Sequence, residues 1–379
     1  MTVGPIFDAA PRPGKPTIRL APYAGVAGAQ MLHIVPEGRY PSTPPTLHGY
    51  RCASPKRDRW FNSLLARGDV ACPAEAVMLY RDAFLLDGKQ VLASDTTAVA
   101  ESYANMRVTE AVVAHHHAQL ARIARGDLET IAEAGPPVVA IFNEACMNYG
   151  HVLVESLPRL LHLEAAGIRR MRLALPAEAE TLRPMIGFAL AELGLEAAFM
   201  PCPAGSIMRV PALHWVSSVA RHEYRKSPTL RRLAERLRAA VPVQACGARL
   251  YVARPDGARR RVTNAHAIAA IAEQLGYRVV EPSGMPFGAQ VALFAGAGVV
   301  AGPMGAALTS ICLMAPGGRV AMFEGGNCDP FFWDLACLSG HAFHWAFTAP
   351  ATEYDTALLD REMTIDPAMA RHVLSALAG

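Results

Sequence analysis

The sequence predicts an α/β protein in which two doubly wound domains face each other across a cleft. Apolar strands alternate with amphipathic helices from residue 138 to residue 202, and the alternation resumes between residues 248 and 347. This pattern is typical of parallel sheets covered by helices on both faces. The length of 379 residues fits two domains of about 150 to 200 residues. Its 52% hydrophobic and 18% charged content excludes a globally disordered chain.

An irregular and β-rich lead-in is predicted over residues 1–100. Stretches rich in proline and glycine, such as PSTPPTLHGY, indicate loops. Residues 75–94 alternate apolar and polar side chains around Asp87-Gly88, which predicts a β-hairpin. A helix with three consecutive histidines follows. Because residues 115–117 point in three directions from a helix, this run does not predict a metal site.

The first domain is assigned to residues 1–240. After the lead-in, a parallel core is predicted over residues 138–216, and the basic residues 217–247 predict a helical connector. The core consists of a strand at 138–143, a helix that opens at Asn148, the strand MRLALP, a helix across 178–194 and the strand AAFMPC. This order of strands and helices indicates βαβ units.

The second domain is predicted over residues 248–350, and residues 351–379 predict a C-terminal helical segment. Its strands are ARLYVAR, YRVVEP, GVVAGP, RVAMFE and HAFHWAF, with helices near 264–275, 286–296 and 305–314. Ligands of open parallel sheets bind at the carboxyl ends of the strands. The residues just after each strand are therefore the first candidates for a site.

Three of these strand exits carry residues suited to a nucleotide diphosphate. ARLYVAR places Arg254 and Arg260 at one exit, GVVAGP leads into a small-residue turn at Gly305, and RVAMFE ends in Glu324. Free backbone N–H groups at such a turn suit a phosphate, and arginines add bidentate hydrogen bonds. Glu324 would accept from ribose hydroxyls. The sequence has neither a P-loop nor a G-x-G-x-x-G fingerprint, so neither ATP hydrolysis nor hydride transfer is indicated.

The helix in NYGHVLVESLPRL has one apolar face and one polar face. Its polar face holds His151, Glu155, Arg159 and His162, which fall within roughly an 80° arc at 3.6 residues per turn. Pro158 should loosen the helix because it removes a backbone donor. The plain interpretation is a surface helix with a His/Glu contact at i,i+4 spacing. The alternative is a helix whose polar face lines the cleft.

Charge and cysteine usage place further bounds on function. A net charge of +3 gives no case for nucleic acid. The basic stretch 221–238 predicts a solvated helix face, which would also suit acidic lipid headgroups, so peripheral contact with the inner face of a membrane stays open. The eight cysteines show no C-x-x-C spacing, and the N-terminus lacks the pattern of a signal peptide. Both features favour a cytoplasmic protein. The sequence does not predict an oligomeric state.

Three stretches resemble, in order, the motifs of glycosyltransferase family 61 over roughly residues 140–345. NYGHVLVESLPRL resembles N-Y-G-H-W-x-x-E-x-L-P-R-L, and LYVARPDGARRRVTN resembles the Y-x-S-R and R-x-I-x-N-E segment. GPMGAALTSICLMAPGGRVAMFE is similar to the G-x-H-G-A-x-L-T-N stretch that ends in V-x-E-L. The resemblance implies a GT-B fold with two Rossmann-type domains and an inverting, metal-independent enzyme. Such an enzyme needs no cofactor beyond a nucleotide-sugar donor, here expected to be UDP-linked, and its acceptor is a glycan or lipid-linked glycan in capsular or other surface polysaccharide synthesis.

The resemblance also implies roles for individual residues. His151 would be the base that takes the proton of the acceptor hydroxyl, and Glu155 would orient its ring. The residues expected at the donor are Asn148, Arg159, Arg254, Arg260, Asn264, Gly302, Met304, Gly305, Ala306, Thr309 and Glu324.

The sequence departs from the family pattern at four positions, and two alternatives follow. Met304 stands where the family has histidine, and the other departures are Val152, Ala253 and Ala265. A non-catalytic protein that binds nucleotide sugars or glycans is one alternative, for which Met304 is the argument. A nucleotide-sugar epimerase on the same architecture is the other, and it would convert the donor without an acceptor.

Overall fold

A computed structural model describes most of the chain. The described residues are 20–26, 28–50, 55–94, 97–103, 110–217, 220, 225–242, 247–255, 260–325, 328–350 and 362–379.

The strands of the described residues are numbered in chain order. They are β1 (Leu20–Ala21), β2 (Gln30–Val35), β3 (Gly38–Pro41), β4 (Thr46–His48), β5 (Asp69–Cys72), β6 (Glu75–Leu86), β7 (Gln90–Leu92), β8 (Ala98–Val99), β9 (Glu129–Thr130), β10 (Val138–Ala140), β11 (Arg170–Pro176), β12 (Glu196–Cys202), β13 (Ile207–Val216), β14 (Ala248–Val252), β15 (Arg278–Val280), β16 (Ala297–Pro303), β17 (Arg319–Glu324), β18 (Ala342–Phe347), β19 (Ala349–Pro350) and β20 (Met363–Thr364).

The α-helices are numbered in the same way. They are α1 (Pro55–Leu65), α2 (Glu110–Arg125), α3 (Tyr149–His151), α4 (Arg159–Ala165), α5 (Arg183–Glu192), α6 (Pro228–Ala239), α7 (Ala265–Gln274), α8 (Phe287–Ala295), α9 (Phe331–Ser339) and α10 (Pro367–Ala378). Segments of 3₁₀-helix lie at Tyr23–Gly25, Ala100–Tyr103, Ala177–Leu182 and Ala306–Leu313, and a π-helical turn lies at Val152–Ser156. These elements confirm the α/β class and most of the predicted strands and helices.

The chain forms two compact units that alternate along the sequence. The first unit comprises Met1–Glu37 and Pro73–Arg221, and the second comprises Gly38–Cys72 and His222–Gly379. The predicted division places residues 1–240 in one domain and residues 248–350 in the next. It therefore assigns residues 38–72 to the first domain, whereas they group with the second unit. Of the predicted C-terminal segment 351–379, α10 is observed, and residues 351–361 lie outside the described part.

The first unit is built on a mixed sheet. β13, β10, β11 and β12 are parallel neighbours in that order, and the last three of them are the strands predicted with alternating helices. On the other side of β13, the long strand β6 pairs antiparallel with it, and β7 and β2 pair with β6. This antiparallel half was not part of the predicted doubly wound domain. β13 itself was not among the predicted strands, and β6 pairs with the edge of β13 that faces away from β10.

The predicted hairpin at residues 75–94 is confirmed. Leu86 in β6 pairs with Gln90 in β7 across the turn. Asp87 and Gly88 have φ values of 53° and 71°. Positive φ at both central residues is what a tight turn of this hand requires, and Asp-Gly is among the pairs that adopt it most readily.

The second unit contains a parallel sheet of order β15-β14-β16-β17-β18-β4. Numbered along the chain, its first five strands follow the doubly wound order 2-1-3-4-5, whose switch point lies between β14 and β16. One face of the sheet packs against α7 and α10 in a buried cluster that includes Tyr251, Ala301 and Phe323. Alternate strand residues such as Val300 and Met322 point to the opposite face and are fully buried. This unit therefore matches the predicted doubly wound domain, with β4 as an added edge strand.

Candidate functional site

The helix that follows β10 begins with a side-chain cap and is interrupted at its centre. Asn148 Oδ1 accepts a hydrogen bond from the backbone N–H of Gly150 at 2.8 Å, which satisfies one of the unpaired donors at a helix start. The next residues form a π-helical turn, in which the N–H of Leu157 donates to the carbonyl of Val152 at 2.9 Å. Pro158 follows directly and has no N–H to give. The predicted disturbance at Pro158 thus takes the form of a π-helical turn, a feature that is frequent at functional sites.

His151 and Glu155 form the predicted i,i+4 contact. His151 Nδ1 lies 2.8 Å from Glu155 Oε1, and the two side chains are 16% and 1% exposed. The second oxygen of Glu155 accepts a hydrogen bond from Asn143 Nδ2. Because an ionised carboxylate can only accept, Nδ1 carries the ring proton in this contact. The neutral ring then has its lone pair on Nε2, which is the arrangement a general base needs.

The rest of the polar face is buried. Arg159 is 1% exposed, and its Nη1 donates to the backbone carbonyl of Ile141 at 2.9 Å. Burial lowers the pKa of Arg159 to about 10, against the opposing effect of the charges of Glu155 and Glu75. His162 Nε2 lies 2.7 Å from Glu75 Oε2, and both side chains are buried. The interpretation as a surface helix is therefore wrong, because β6 supplies a carboxylate that covers this face. A donor contact by Arg159 stays a prediction.

Asn143, Glu75 and Glu144 are polar residues of this region that the sequence analysis did not single out. Asn143 ends the apolar run PVVAIFN, so the rule that strand exits carry ligands would have found it. Glu75 lies at the start of the predicted hairpin, where no local pattern marks it. Its role depends on a partner 87 residues away in the chain.

In the second unit, the exits of β14 and β16 are joined by a hydrogen bond. Arg254 Nη1 donates to the backbone carbonyl of Met304 at 2.6 Å. Burial and, to a smaller extent, the nearby charge of Arg260 together lower the pKa of Arg254 to about 10. At neutral pH the guanidinium is still charged, so two cations lie close together at the switch point of this sheet. Arg260 itself has a φ of 61°, a backbone conformation that is uncommon for a residue with a side chain.

The small residues of the predicted phosphate turn are required by close packing. A Cβ on Gly302 would lie 2.6 Å from the carbonyl oxygen of Val252, and a Cβ on Gly305 would collide with Arg254 Nη1. Met304 is buried, and its N–H donates to the carbonyl of Phe323 at 2.8 Å. The 3₁₀ segment Ala306–Leu313 follows directly, with Ala306 half-buried and Thr309 buried. Gly302, Met304, Gly305, Ala306 and Thr309 lie on one turn and the segment that follows it, and their contact with a donor stays a prediction.

Asn264 and Glu324 have partners within the protein. Asn264 Nδ2 donates to the carbonyl of Ile365 at 2.7 Å, and Asn264 Oδ1 accepts from the N–H of Ile365 at 3.1 Å. Glu324 is fully buried, and its Oε1 accepts from the N–H of Cys328 at 3.0 Å. Both contacts tie chain segments together. The donor contacts expected of these two residues, and of the cap residue Asn148, stay predictions.

The histidine run lies on α2 as predicted. His115 Nε2 lies 3.6 Å from Asp87 Oδ2, whereas His116 is buried against Tyr103. Across the described ranges, no group of three or more His, Cys, Asp or Glu side chains is arranged to hold a metal ion. Within those same ranges, no helix has the length and apolar character needed to cross a membrane.

Comparison with known families gives one match. Residues 149–321 match the sequence profile of the family described as Glycosyltransferase 61. The matched range contains His151, Glu155, Arg254 and the turn at Met304-Gly305, and it ends before Glu324. No curated protein matches the chain.

Proposed function

Since the chain belongs to glycosyltransferase family 61 through residues 149–321 and is therefore an enzyme that transfers a sugar, we propose that its donor is a nucleotide-diphosphate sugar. The nucleotide proposed for this donor is UDP. We further propose that transfer inverts the anomeric centre and needs no metal ion. The acceptor in this proposal is a glycan or lipid-linked glycan of a surface polysaccharide such as a capsule.

The hydrogen bond from Arg254 to Met304 carries the donor assignment. It holds a cation against a turn of small residues at the switch point of a parallel sheet, where ligands of this architecture bind. The charge of Arg260 acts on the same guanidinium. Two neighbouring cations repel each other, and an anion placed between them relieves that repulsion. A diphosphate would also meet the backbone N–H groups at the start of the 3₁₀ segment Ala306–Leu313.

His151 is the proposed base of the reaction. The ring takes the proton of the acceptor hydroxyl at Nε2 as the oxygen attacks the anomeric carbon, and Glu155 stabilises the ring at Nδ1. The bond from the anomeric carbon to the diphosphate breaks on the opposite face, so the configuration inverts. Arg254 and Arg260 then stabilise the charge that develops on the leaving diphosphate, in the role a metal ion has elsewhere. The base and the diphosphate site lie in different units of the chain, and the GT-B fold stays a prediction.

The methionine at position 304 is compatible with this chemistry. The backbone carbonyl of Met304 accepts a hydrogen bond from Arg254, and the backbone N–H of Met304 donates to the carbonyl of Phe323. Neither contact uses a side chain, so replacement of the family histidine leaves the junction of the two strand exits intact. The donor site can therefore stay assembled without the family histidine, and the turnover assay below separates a transferase from a protein that only binds the donor.

The basic helix α6 supports a proposal about location. Arg231 and Arg232 of this helix are exposed, in agreement with the predicted solvated face. We propose a cytoplasmic enzyme in which the positive charge of this exposed face attracts acidic lipid headgroups at the inner face of the membrane. Sedimentation with vesicles of phosphatidylglycerol and phosphatidylcholine tests this, and binding should fall as salt rises.

A donor screen tests the proposed function. Thermal shift against UDP-, GDP-, CDP- and dTDP-sugars should identify a stabilising donor, because a ligand that binds the folded state raises the melting temperature. Release of the nucleoside diphosphate is then measured with a panel of glycan acceptors in excess EDTA. We expect acceptor-dependent release that persists in EDTA. Complete loss in EDTA that magnesium or manganese restores would contradict metal independence, and acceptor-free conversion to an isomeric nucleotide sugar would support an epimerase instead.

A further inference from the structure

The tip of the β6–β7 hairpin lies against the ends of two strands of the parallel sheet in the first unit. A Cβ on Gly88 would lie 2.9 Å from Cys202 Sγ, at the end of β12, and 3.3 Å from Pro176 Cγ, at the end of β11. The positive φ of Gly88 is a second reason for glycine at this position. The hairpin tip therefore reaches the carboxyl ends of parallel strands, where ligands of such sheets bind.

A buried lysine and a buried glutamine at this tip hold two glutamates. Lys89 Nζ lies 3.2 Å from Glu178 Oε1 and 3.5 Å from Glu144 Oε2, and Gln90 Nε2 donates to Glu144 Oε2 at 2.6 Å. Burial lowers the pKa of Lys89, but the charges of Glu144 and Glu178 outweigh burial and raise it overall. The lysine is therefore charged. Glu144 follows β10 and Glu178 follows β11, so both are strand-exit residues.

Each glutamate is half-exposed and has one oxygen that is held by the hairpin tip. The side chains of Glu144 and Glu178 are 39% and 35% exposed, whereas that of Lys89 is 5% exposed. Within the described residues, no hydrogen bond is made by Glu144 Oε1 or Glu178 Oε2. Carboxylates fixed in this way offer acceptor oxygens in defined positions, with little side-chain entropy left to lose when a ligand binds.

Helix α2 adds buried polar atoms beside the same turn. Gln119 Nε2 lies 3.5 Å from Asp87 Oδ2 in the hairpin tip. Gln119 and His116 are buried side by side, and a side-chain hydrogen bond from Gln119 partly opposes the lowering of the pKa of His116 by burial. Helix α2 therefore supplies a buried polar wall next to the hairpin tip.

We propose that the hairpin-tip cluster, formed by Lys89, Gln90, Glu144 and Glu178, binds hydroxyl groups of the acceptor sugar and sets acceptor specificity. This inference rests on the proposed transferase function. Sugar hydroxyls donate to Glu144 Oε1 and Glu178 Oε2, the oxygens that make no hydrogen bond within the described residues. The cluster carries one positive and two negative charges, a net charge of −1, so it favours a neutral sugar over one that bears a carboxylate or phosphate.

The cluster connects to the proposed base through adjacent residues. Asn143 donates to Glu155, which holds His151. The next residue in the chain is Glu144, which belongs to the hairpin-tip cluster. A single turn after β10 thus supplies both the residue that fixes the base and a residue that would fix the acceptor. The base and the cluster are thus attached to the same turn, as a role in positioning the acceptor next to its base requires.

Binding of simple glycosides tests the assignment. The probes are the methyl glycosides of glucose, galactose, mannose and xylose, titrated by NMR against the full chain. The variants are Glu144→Gln and Glu178→Gln, which keep the side-chain shape and remove the charge. Glu196→Gln is the control, because Glu196 is 71% exposed and pairs only with the exposed Arg170 among the described residues. We expect at least one glycoside to bind the parent, each cluster variant to weaken it by at least about fivefold, and the control to bind as the parent does.

A measurement on the unaltered protein complements the variants. Methyl glucuronide should bind at least about tenfold more weakly than methyl glucoside, because its carboxylate meets a cluster of net negative charge. Equal glycoside affinity in the parent and both cluster variants would overturn the inference, as would the absence of glycoside binding in a protein that binds UDP. Failure of the proposed function gives a different result, since UDP would then not bind either.

Discussion

Arg254 Nη1 donates to the carbonyl oxygen of Met304 at 2.6 Å and thereby joins the exits of two neighbouring strands, β14 and β16. The acceptor is a backbone atom, so the bond does not depend on the side chain at position 304. It does depend on Gly305, since a Cβ at that position would collide with Arg254 Nη1. Position 304, where this chain has methionine and the family has histidine, therefore contacts Arg254 through its backbone.

Replacement of Gly305 by alanine should weaken donor binding with little change of backbone. Gly305 has a φ of −178°, an extended conformation open to any residue, so the effect of Gly305→Ala is the displacement of Arg254. We expect UDP affinity to fall at least about fivefold, or about 1 kcal/mol, measured by calorimetry. Gly187→Ala is the control, because Gly187 lies inside α5 with open space around it. The control should gain about 0.5–1 kcal/mol of stability and bind UDP as the parent does. Equal UDP affinity in Gly305→Ala would show that Arg254 does not contact the donor.

Replacement of His151 by alanine should separate chemistry from donor binding. A general base contributes about 10² to 10⁴ in rate, so turnover of His151→Ala should fall by that factor while UDP affinity stays near that of the parent. Glu155→Gln keeps an acceptor for Nδ1 and loses the charge, so we expect a smaller loss of about tenfold. His266→Ala, at an exposed position of α7, is the control. A structural histidine would instead lower stability and affinity together. If His151→Ala folds and transfers sugar within a fewfold of the parent rate, the base is another residue, and Glu155 is the next candidate.

The buried His341 predicts a loss of stability at acid pH. Burial, with a smaller effect of the charge of Arg238, lowers the pKa of His341 to about 4. The hydrogen bond that Nε2 donates to the carbonyl of Ile311 at 3.0 Å opposes this shift only in part. In the unfolded chain the imidazole of His341 binds a proton near pH 6.5, whereas in the folded chain it stays neutral until about pH 4. The free energy of unfolding is therefore at its full value above about pH 6.5 and falls as the pH falls toward 4. The shift corresponds to at most about 3 kcal/mol.

Urea unfolding between pH 7.5 and pH 4.5 measures this effect. His341→Gln keeps a donor for Ile311 and cannot titrate, so its free energy of unfolding should fall less with acid than that of the parent. His266→Gln should follow the parent because that side chain is exposed. A pH dependence of His341→Gln that is identical to the parent would contradict the assignment.

The strands and turns of the second unit were predictable because their signals are local. Apolar runs such as GVVAGP mark strands buried on both faces, and the glycines that follow mark turns. The position of β4 was not predictable. Thr46 pairs with His344 across almost the whole chain, and no local pattern specifies so distant a partner. The same holds for Asp334, which is fully buried and accepts hydrogen bonds from the Tyr40 hydroxyl at 2.9 Å and from Arg67 Nη2 at 2.6 Å.

The first-unit site shows the same limit. The i,i+4 spacing of His151 and Glu155 predicted their contact, since helix geometry alone brings such residues together. Helix geometry does not determine what covers a face. The burial of His162 follows from Glu75, which β6 contributes from a distant part of the chain. The spacing therefore predicted the pair of residues and missed their environment.

UDP titration of Arg254→Ala tests the central claim, that the strand exits of β14 and β16 bind the diphosphate of the donor. Arg249→Ala is the matched control, because Arg249 lies near the start of the same strand, where its Nη2 donates to the carbonyl of Ala378 at 2.7 Å. In excess EDTA, the parent and Arg249→Ala should bind one UDP with equal affinity. Arg254→Ala and Arg260→Ala should each bind it at least about tenfold more weakly, or about 1.4 kcal/mol. Unchanged UDP affinity in Arg254→Ala and Arg260→Ala would contradict the account and place the donor elsewhere in the protein.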